Sequence, residues 1–207
     1  MMMEVELKYR IDGQRSFQKL LAALPPAESS FVQTNNYLDD AARSLRKAPI
    51  MLRAREVRLP AGALSSLAPS VTFEAKRRIS KEDGLFISEE RAQVMSLDEW
   101  MAIKVRGLPI PTDGPLFRWL AGVAPHGGLA IIGKTTNHRH QIRSDLFVLE
   151  LDCTQFPDGS EEFEVECETH LPDAGRAHIE DLFGRIGVEG HPQTKGKYAR
   201  FLKKAGL

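Results

Sequence analysis

Near its start the chain carries Glu4-Val5-Glu6-Leu7-Lys8, two carboxylates and an ammonium two residues apart, running on into Tyr9, Arg10 and Ile11. Side chains alternate faces along a β-strand, so in that state Glu4, Glu6 and Lys8 share one face and Val5, Leu7, Tyr9 and Ile11 the other. Carboxylate oxygens suit a hard divalent cation, and an ammonium suits an anion beside it. Because about a quarter of residues in an ordinary protein are charged, one such strand is also accounted for as a solvated face. The pattern recurs, however. Arg53 and Arg55 stand two apart, as do Glu74 and Lys76, and Glu162, Glu164, Glu166 and Glu168 alternate with Phe163, Val165 and Cys167. Carboxylates at that spacing on a shielded face push one another toward neutrality unless a cation joins them.

An antiparallel sheet open to water would solvate its charged face and need no site. That accounts less well for a set in which some strands carry arginine pairs and others glutamate pairs. A closed barrel with its apolar faces outward under helices gathers both signs in one interior. Dry burial of such charges costs about several kcal/mol each, so the interior must be wet or filled by a charged ligand. A metal ion with a polyanion satisfies both signs.

The elements that must position these residues follow from periodicity. Strands are predicted over Val32–Asp39, Ile50–Arg58, Val71–Arg78, Phe86–Val94, Leu129–Arg143, Phe147–Cys153 and Glu162–Thr169, the last two joined by the turn Phe156-Pro157-Asp158-Gly159-Ser160. With the first strand this makes about eight. Asp12 is placed to cap a helix carrying Phe17, Leu20, Leu21 and Leu24 that stops at Pro25-Pro26. Ser96 and Glu99 form a capping box ahead of Trp100, Ile103 and Val105, with Gly107 as the stop. Further helices are expected over Leu116–Val123, from Asp173 to Gly187, and around Tyr198, Phe201 and Leu202. Leu59 to Ser70 reads as a mobile connection. No βαβ rhythm is present, so the expectation is an α+β fold with a mainly antiparallel sheet.

With 207 residues, 42% of them hydrophobic, the chain suits a single domain over 1–207. Lys plus Arg equals Asp plus Glu at 28 each, which leaves no global field to draw nucleic acid or an anionic membrane. Two cysteines, Cys153 and Cys167, are too few for a disulfide framework and read as free thiols. With no leader-like segment and no apolar stretch of membrane-spanning length, a cytoplasmic protein is expected.

The ordered set of motifs resembles the CYTH, or triphosphate tunnel metalloenzyme, superfamily, which includes class IV adenylate cyclases, thiamine triphosphatases and inorganic triphosphatases. Its Glu-x-Glu-x-Lys strand is similar to Glu4, Glu6 and Lys8. The similarity continues through Asn36-Tyr37-Leu38-Asp39, Leu52-Arg53-Ala54-Arg55, Thr72 to Lys76, Glu89-Glu90, Thr135 to Arg139, Leu151-Asp152, Glu164-Val165-Glu166 and Lys197-Tyr198-Ala199-Arg200. The resemblance implies an eight-stranded antiparallel β-barrel, the triphosphate tunnel, with flanking helices. It implies that Lys8, Arg53, Arg55, Lys76, Arg139 and Lys197 grip the oxygens of a small-molecule triphosphate or polyphosphate. Glu4, Glu6, Glu90, Asp152, Glu164 and Glu166 would hold Mg²⁺ or Mn²⁺, with Glu4, Glu6 and Lys8 catalytic. The implied reaction is metal-dependent hydrolysis of a triphosphate. The alternatives are cyclisation of ATP to cyclic AMP and a non-catalytic polyphosphate-binding module, and a homodimer is compatible with all three.

Three registers stay open, because a one-residue slip reverses a strand's faces. Glu74 competes with Lys76, Glu89 with Glu90, and Lys195 with Lys197. His138 and His140 flank Arg139 and point away from it, while His126, His170, His178 and His191 have no ligand spacing.

Overall fold

The computed structural model describes residues 2–58, 70–124, 127–144 and 146–207. The expected connection after Leu59 falls on residues 59–69 and lies outside the described residues, as does His126. In chain order the elements are β1 (Met2–Ile11), α1 (Gly13–Ala23), β2 (Ser29–Asp39), α2 (Ser44–Lys47), β3 (Ile50–Arg58), β4 (Ser70–Glu82), β5 (Leu85–Ser96), α3 (Leu97–Arg106) and α4 (Pro115–Val123). They continue with β6 (Ala130–Arg143), β7 (Val148–Gln155), β8 (Glu161–Glu168), α5 (Pro172–Ile186), β9 (Gly190–Pro192) and α6 (Lys197–Lys204).

All strand pairings are antiparallel, in the order β5-β4-β3-β2-β6-β7-β8-β1-β9, and β5 also pairs with β1. That last pairing closes eight strands into a barrel. β5 leaves β1 after the Leu7–Leu85 pair, and β9 takes over the freed edge at Tyr9–Ile11.

Alternation along each strand sends the apolar side chains outward, where helices cover them. Leu7, Tyr9 and Ile11 of β1 and Leu151 and Val165 of β7 and β8 pack under Phe17 and Leu20 of α1 and Ile179, Leu182 and Phe183 of α5. On the opposite wall Leu52, Ala54, Phe73 and Ala75 pack under Trp100 of α3 and Phe117 and Leu120 of α4. A third, smaller cluster seats Phe201 of α6 against Tyr37, Met51 and Phe156. Most of the apolar mass therefore lies outside the barrel, and the interior is lined mainly by polar groups, with Phe31, Met51 and Phe86 among them.

Local chemistry explains the element ends. Ser96 Oγ accepts from the Glu99 amide at 3.3 Å while Glu99 Oε2 accepts from the Ser96 amide at 3.1 Å, the expected capping box. Gly107 then ends α3 at φ 65°. Trp100 and Ile103 form its buried face, while Val105 is 75% exposed. Asp12 occupies the N-cap position of α1 without a side-chain cap bond. Its carboxylate lies instead 3.1 Å from Arg10 and 3.3 Å from His191. Two elements were not expected: β9, and α2, whose first turn is held by Asp40 Oδ1 accepting from the Ser44 amide at 2.8 Å and Asp39 Oδ1 from the Leu45 amide at 3.0 Å.

Candidate active site

The barrel encloses a cavity of about 460 Å³. Ten of the twelve residues singled out from sequence line it: Glu4, Glu6, Lys8, Arg53, Arg55, Lys76, Glu90, Arg139, Glu166 and Lys197. Asp152 and Glu164 sit one layer behind, with relative exposures of 0% and 1%, and reach the cavity through Arg139 and Lys197.

Cross-strand register brings the partners together. Lys8 stands opposite Glu166, and its ammonium contacts that carboxylate and lies 3.0 Å from Glu6. Burial alone would lower the Lys8 pKa, but Glu166, Glu6 and Glu164 outweigh it and hold the lysine firmly protonated. Arg53 stands opposite Glu74 and donates Nε–H to it at 2.8 Å, with Arg55 3.1 Å from the same carboxylate. Lys76 stands opposite Glu90, yet its ammonium donates to Glu4 at 2.6 Å and lies 3.9 Å from Glu90. Burial, reinforced by Glu4 and Glu74 and only partly offset by Lys76, pushes the Glu90 carboxyl up to about 7.

The other wall is denser. Arg139 donates Nε–H to Asp152 at 2.8 Å and Nη2–H to Glu166 at 2.8 Å, and it contacts Glu150. Lys197, the first residue of α6, donates to Asp152 and to Glu166 at 2.7 Å each and contacts Glu164. Asp152, Glu164 and Glu166 each offer an oxygen within 4.8 Å of the others, a cluster able to hold a metal ion. Burial opposes ionisation of Asp152 and Glu166, but Arg139 and Lys197 around them hold both below the usual carboxylate range.

The three open registers have definite placements. Lys76 lines the cavity while Glu74 shares its face and backs Arg53 and Arg55. Glu90 lines the cavity, whereas Glu89 points outward between Arg77 at 2.6 Å and Arg91 at 3.2 Å. Lys197 lines it and Lys195 does not. His138 is exposed and His140 Nδ1 lies 2.9 Å from Ser30 Oγ, both outside the cavity.

Sequence reasoning passed over several lining residues. Glu150 alternates with Asp152 along β7, a signal as plain as the one on β8, and Glu168 is the last of the alternating acids on β8. Burial, with Glu166, Asp152 and Glu168 adding to it against Arg139, raises the pKa of Glu150. Arg78, Gln33, Asn35, Asn137 and Gln141 also belong to the polar lining, together with Ser88 and the Tyr37 and Tyr198 side chains. Arg200, three residues after Lys197 on α6, contacts Glu162 and Glu164 and so ties the helix to the acidic strand.

A closed antiparallel barrel with cations and carboxylates turned inward and helices packed outside defines a tunnel-type barrel. The CYTH domain family profile matches residues 2–196, and the chain belongs to the CYTH family. Among solved structures it is similar to HpAC1 from Hippeastrum, described as a candidate adenylyl cyclase with a dominant triphosphatase activity, at 24% identity over 97% of this chain and 95% of that one, with a TM-score of 0.84. It is similar also to a candidate adenylate cyclase from Bacillus halodurans, at 23% identity, 97% and 99% coverage and a TM-score of 0.72. A third is PH1819 from Pyrococcus horikoshii, at 15% identity, 96% and 99% coverage and a TM-score of 0.62. At these identities the likeness establishes the fold. No curated protein matches the chain. Among the described residues, no helix is long and apolar enough to cross a membrane.

Proposed function

We propose that this protein is a metal-dependent triphosphatase that hydrolyses an inorganic or small organic triphosphate inside its barrel. The observation that carries this reading is the convergence of Lys8, Arg53, Arg55, Lys76, Arg139 and Lys197 on the same cavity as the carboxylates of Glu4, Glu6, Glu90 and Glu166. These six cations, joined by Arg78 in the lining of the same cavity, suit a polyanion several charges long, and the planar guanidinium of Arg53, Arg55 or Arg139 can meet phosphate oxygens in pairs.

Glu4, Glu6, Glu90, Asp152, Glu164 and Glu166 would hold Mg²⁺ or Mn²⁺. The donor set fits, since every donor is a carboxylate oxygen and three of them lie within 4.8 Å of one another. When bound, such an ion supplies charge neutralisation at the phosphates and acidification of a bound water. The chain's own residues do the rest. Lys8, held between Glu6 and Glu166, presents its ammonium where the cationic and acidic walls meet. Arg53 and Arg55, backed by Glu74, orient the phosphate chain from one side, and Arg139 and Lys197 from the other. In the metal-free barrel Glu90, pushed up to about 7 by burial, takes up a proton near neutrality that a metal ion binding there would displace. Positioning and charge stabilisation of this kind are most of what phosphoryl transfer requires.

Phe31 and Phe86 together with the Gln33, Asn35, Asn137 and Gln141 amides also line the cavity, and such groups suit an organic substituent on the substrate. That observation keeps cyclisation of ATP as the second reading. The test is a panel of inorganic triphosphate, thiamine triphosphate and ATP with Mg²⁺ or Mn²⁺, detecting phosphate and cyclic AMP separately. Phosphate release is expected. Cyclic AMP without phosphate release from any of them would replace the triphosphatase by a cyclase, and binding without turnover would leave a polyphosphate-binding module.

A further inference from the structure

The Lys197 ammonium stands among the three clustered carboxylates. Its Nζ lies 2.7 Å from Asp152 Oδ2 and 2.7 Å from Glu166 Oε1, and it contacts Glu164 Oε1. Mg²⁺ or Mn²⁺ binds oxygen at roughly 2.0–2.2 Å, so an ion taking one oxygen from each of these residues would overlap the space the ammonium fills. Two cations at that separation also repel strongly away from bulk water. Arg139 and Arg200 reach the cluster from its flanks, Arg139 on Asp152 and Glu166 and Arg200 on Glu164. Among the described cations Lys197 touches all three carboxylates. It also lines the cavity and follows Gly196, which is extended at φ −63° and ψ 160° where α6 begins. Lys197 therefore touches both the carboxylate cluster and the cavity from the first turn of the helix.

We propose that Lys197 is a resident cation of the Asp152–Glu164–Glu166 cluster, that a divalent metal ion binds there by displacing its ammonium, and that the displaced ammonium turns into the cavity to meet the polyanion. The inference rests on the reading of these carboxylates as a metal site and goes beyond it by making metal and polyanion binding reciprocal. The metal frees a cation for the polyanion, and the polyanion draws that cation away from the metal's ligands. Lys197 thus belongs to the metal-free and substrate-bound states in different roles.

The test is Mn²⁺ binding, read from the paramagnetic resonance signal of free Mn²⁺ without substrate, in wild type, Lys197→Gln and Asp152→Asn. If the ammonium leaves the cluster about a tenth of the time, its removal tightens Mn²⁺ binding by about tenfold. Lys197→Gln is therefore expected to bind more tightly than wild type, and Asp152→Asn more weakly. Equal affinities in wild type and Lys197→Gln, with binding lost in Asp152→Asn, would overturn the displacement while leaving the metal site standing. Unchanged binding in Asp152→Asn would overturn both. A second measurement needs no variant: amine-reactive labelling of Lys197 in wild type, followed by mass spectrometry, is expected to rise as Mn²⁺ is added. Labelling that stays constant through the titration would overturn the inference.

Discussion

Glu74→Gln isolates the electrostatics of the cationic wall. Glu74 receives Arg53 Nε–H at 2.8 Å and lies 3.1 Å from Arg55, with side-chain exposures of 10% for Arg53 and 9% for Glu74. Burial opposes the charge on Arg53 and Glu74 restores it, so the neutral amide leaves two guanidinium groups side by side on one shielded strand face. Removing one partner of a buried pair costs about 3–5 kcal/mol, and the lower end applies because the amide oxygen keeps a hydrogen bond and the cavity admits water. At about 2–4 °C per kcal/mol for a chain of this size, the melting temperature should fall by about 6–12 °C. Phosphate oxygens can replace the lost carboxylate. Inorganic triphosphate at a fixed concentration should therefore raise the melting temperature of Glu74→Gln more than that of wild type, each tenfold in affinity adding about 1.4 kcal/mol. Differential scanning fluorimetry with and without triphosphate, in the absence of metal, reads both effects. A variant melting with wild type, or equal triphosphate shifts in the two proteins, would refute the assignment of Arg53 and Arg55 to the polyanion.

Glu4→Ala and Glu6→Ala should each lower metal-dependent phosphate release by about 10²-fold or more, since metal ligands act on several kcal/mol of transition-state charge; far-ultraviolet circular dichroism should be unchanged, and retained turnover in either would reject these two as ligands. Gly133 has φ 148°, and a Cβ there would sit 2.7 Å from the Phe201 ring, so Gly133→Ala should destabilise by about 1–3 kcal/mol through overpacking, read as a lower urea midpoint. For Glu90, whose folded value near 7 exceeds the ordinary 4.5, the native state keeps a proton the unfolded chain has lost, so its contribution to metal-free stability is full below about pH 4.5 and disappears as pH rises through 7. Comparing urea midpoints of wild type and Glu90→Gln at pH 5 and pH 8 should show a difference of up to about 3 kcal/mol in that direction, at 1.36 kcal/mol per pH unit; the opposite slope would contradict the burial of Glu90.

What could be read in advance depended on period. β1 from Glu4 and β8 from Glu162 alternate strictly, and β3 does so over residues 52–55, so the faces carrying Glu4, Glu6 and Lys8, Arg53 and Arg55, and Glu164 and Glu166 were legible from the sequence, as was the capping box at Ser96. α2 and β9 are too short to leave a pattern, being four and three residues long, and α2 depends on two aspartate side chains rather than on an apolar stripe. The choice between Glu89 and Glu90 could not be made from one strand, because Ser88-Glu89-Glu90-Arg91 puts polar side chains on both faces, and the pairing of Lys76 with Glu90 settles the parity. Partnership was harder to read than face. Nothing local links Lys197 to Asp152, 45 residues away, and their contact exists because α6 packs Phe201 into the end of the barrel. Arg200 was within reach, since it shares a helix face with Lys197 at a spacing of three.

Stability and function draw on different parts of the barrel. The two large apolar clusters lie between the outer faces of the strands and the helices, while the ion pairs lie inside. Buried pairs add little net stability when intact and much instability when halved, so the interior tolerates its charges because nearly every one has a partner. A polyanion that takes the cations would leave carboxylates unpaired, and a divalent ion that takes the carboxylates would leave ammonium and guanidinium groups unpaired. When both enter together, neither sign is left uncompensated. On the proposed reading, the metal requirement follows from the pairing already present in the ligand-free barrel, and Lys197, which changes partners between the two states, is where that exchange is most directly observed.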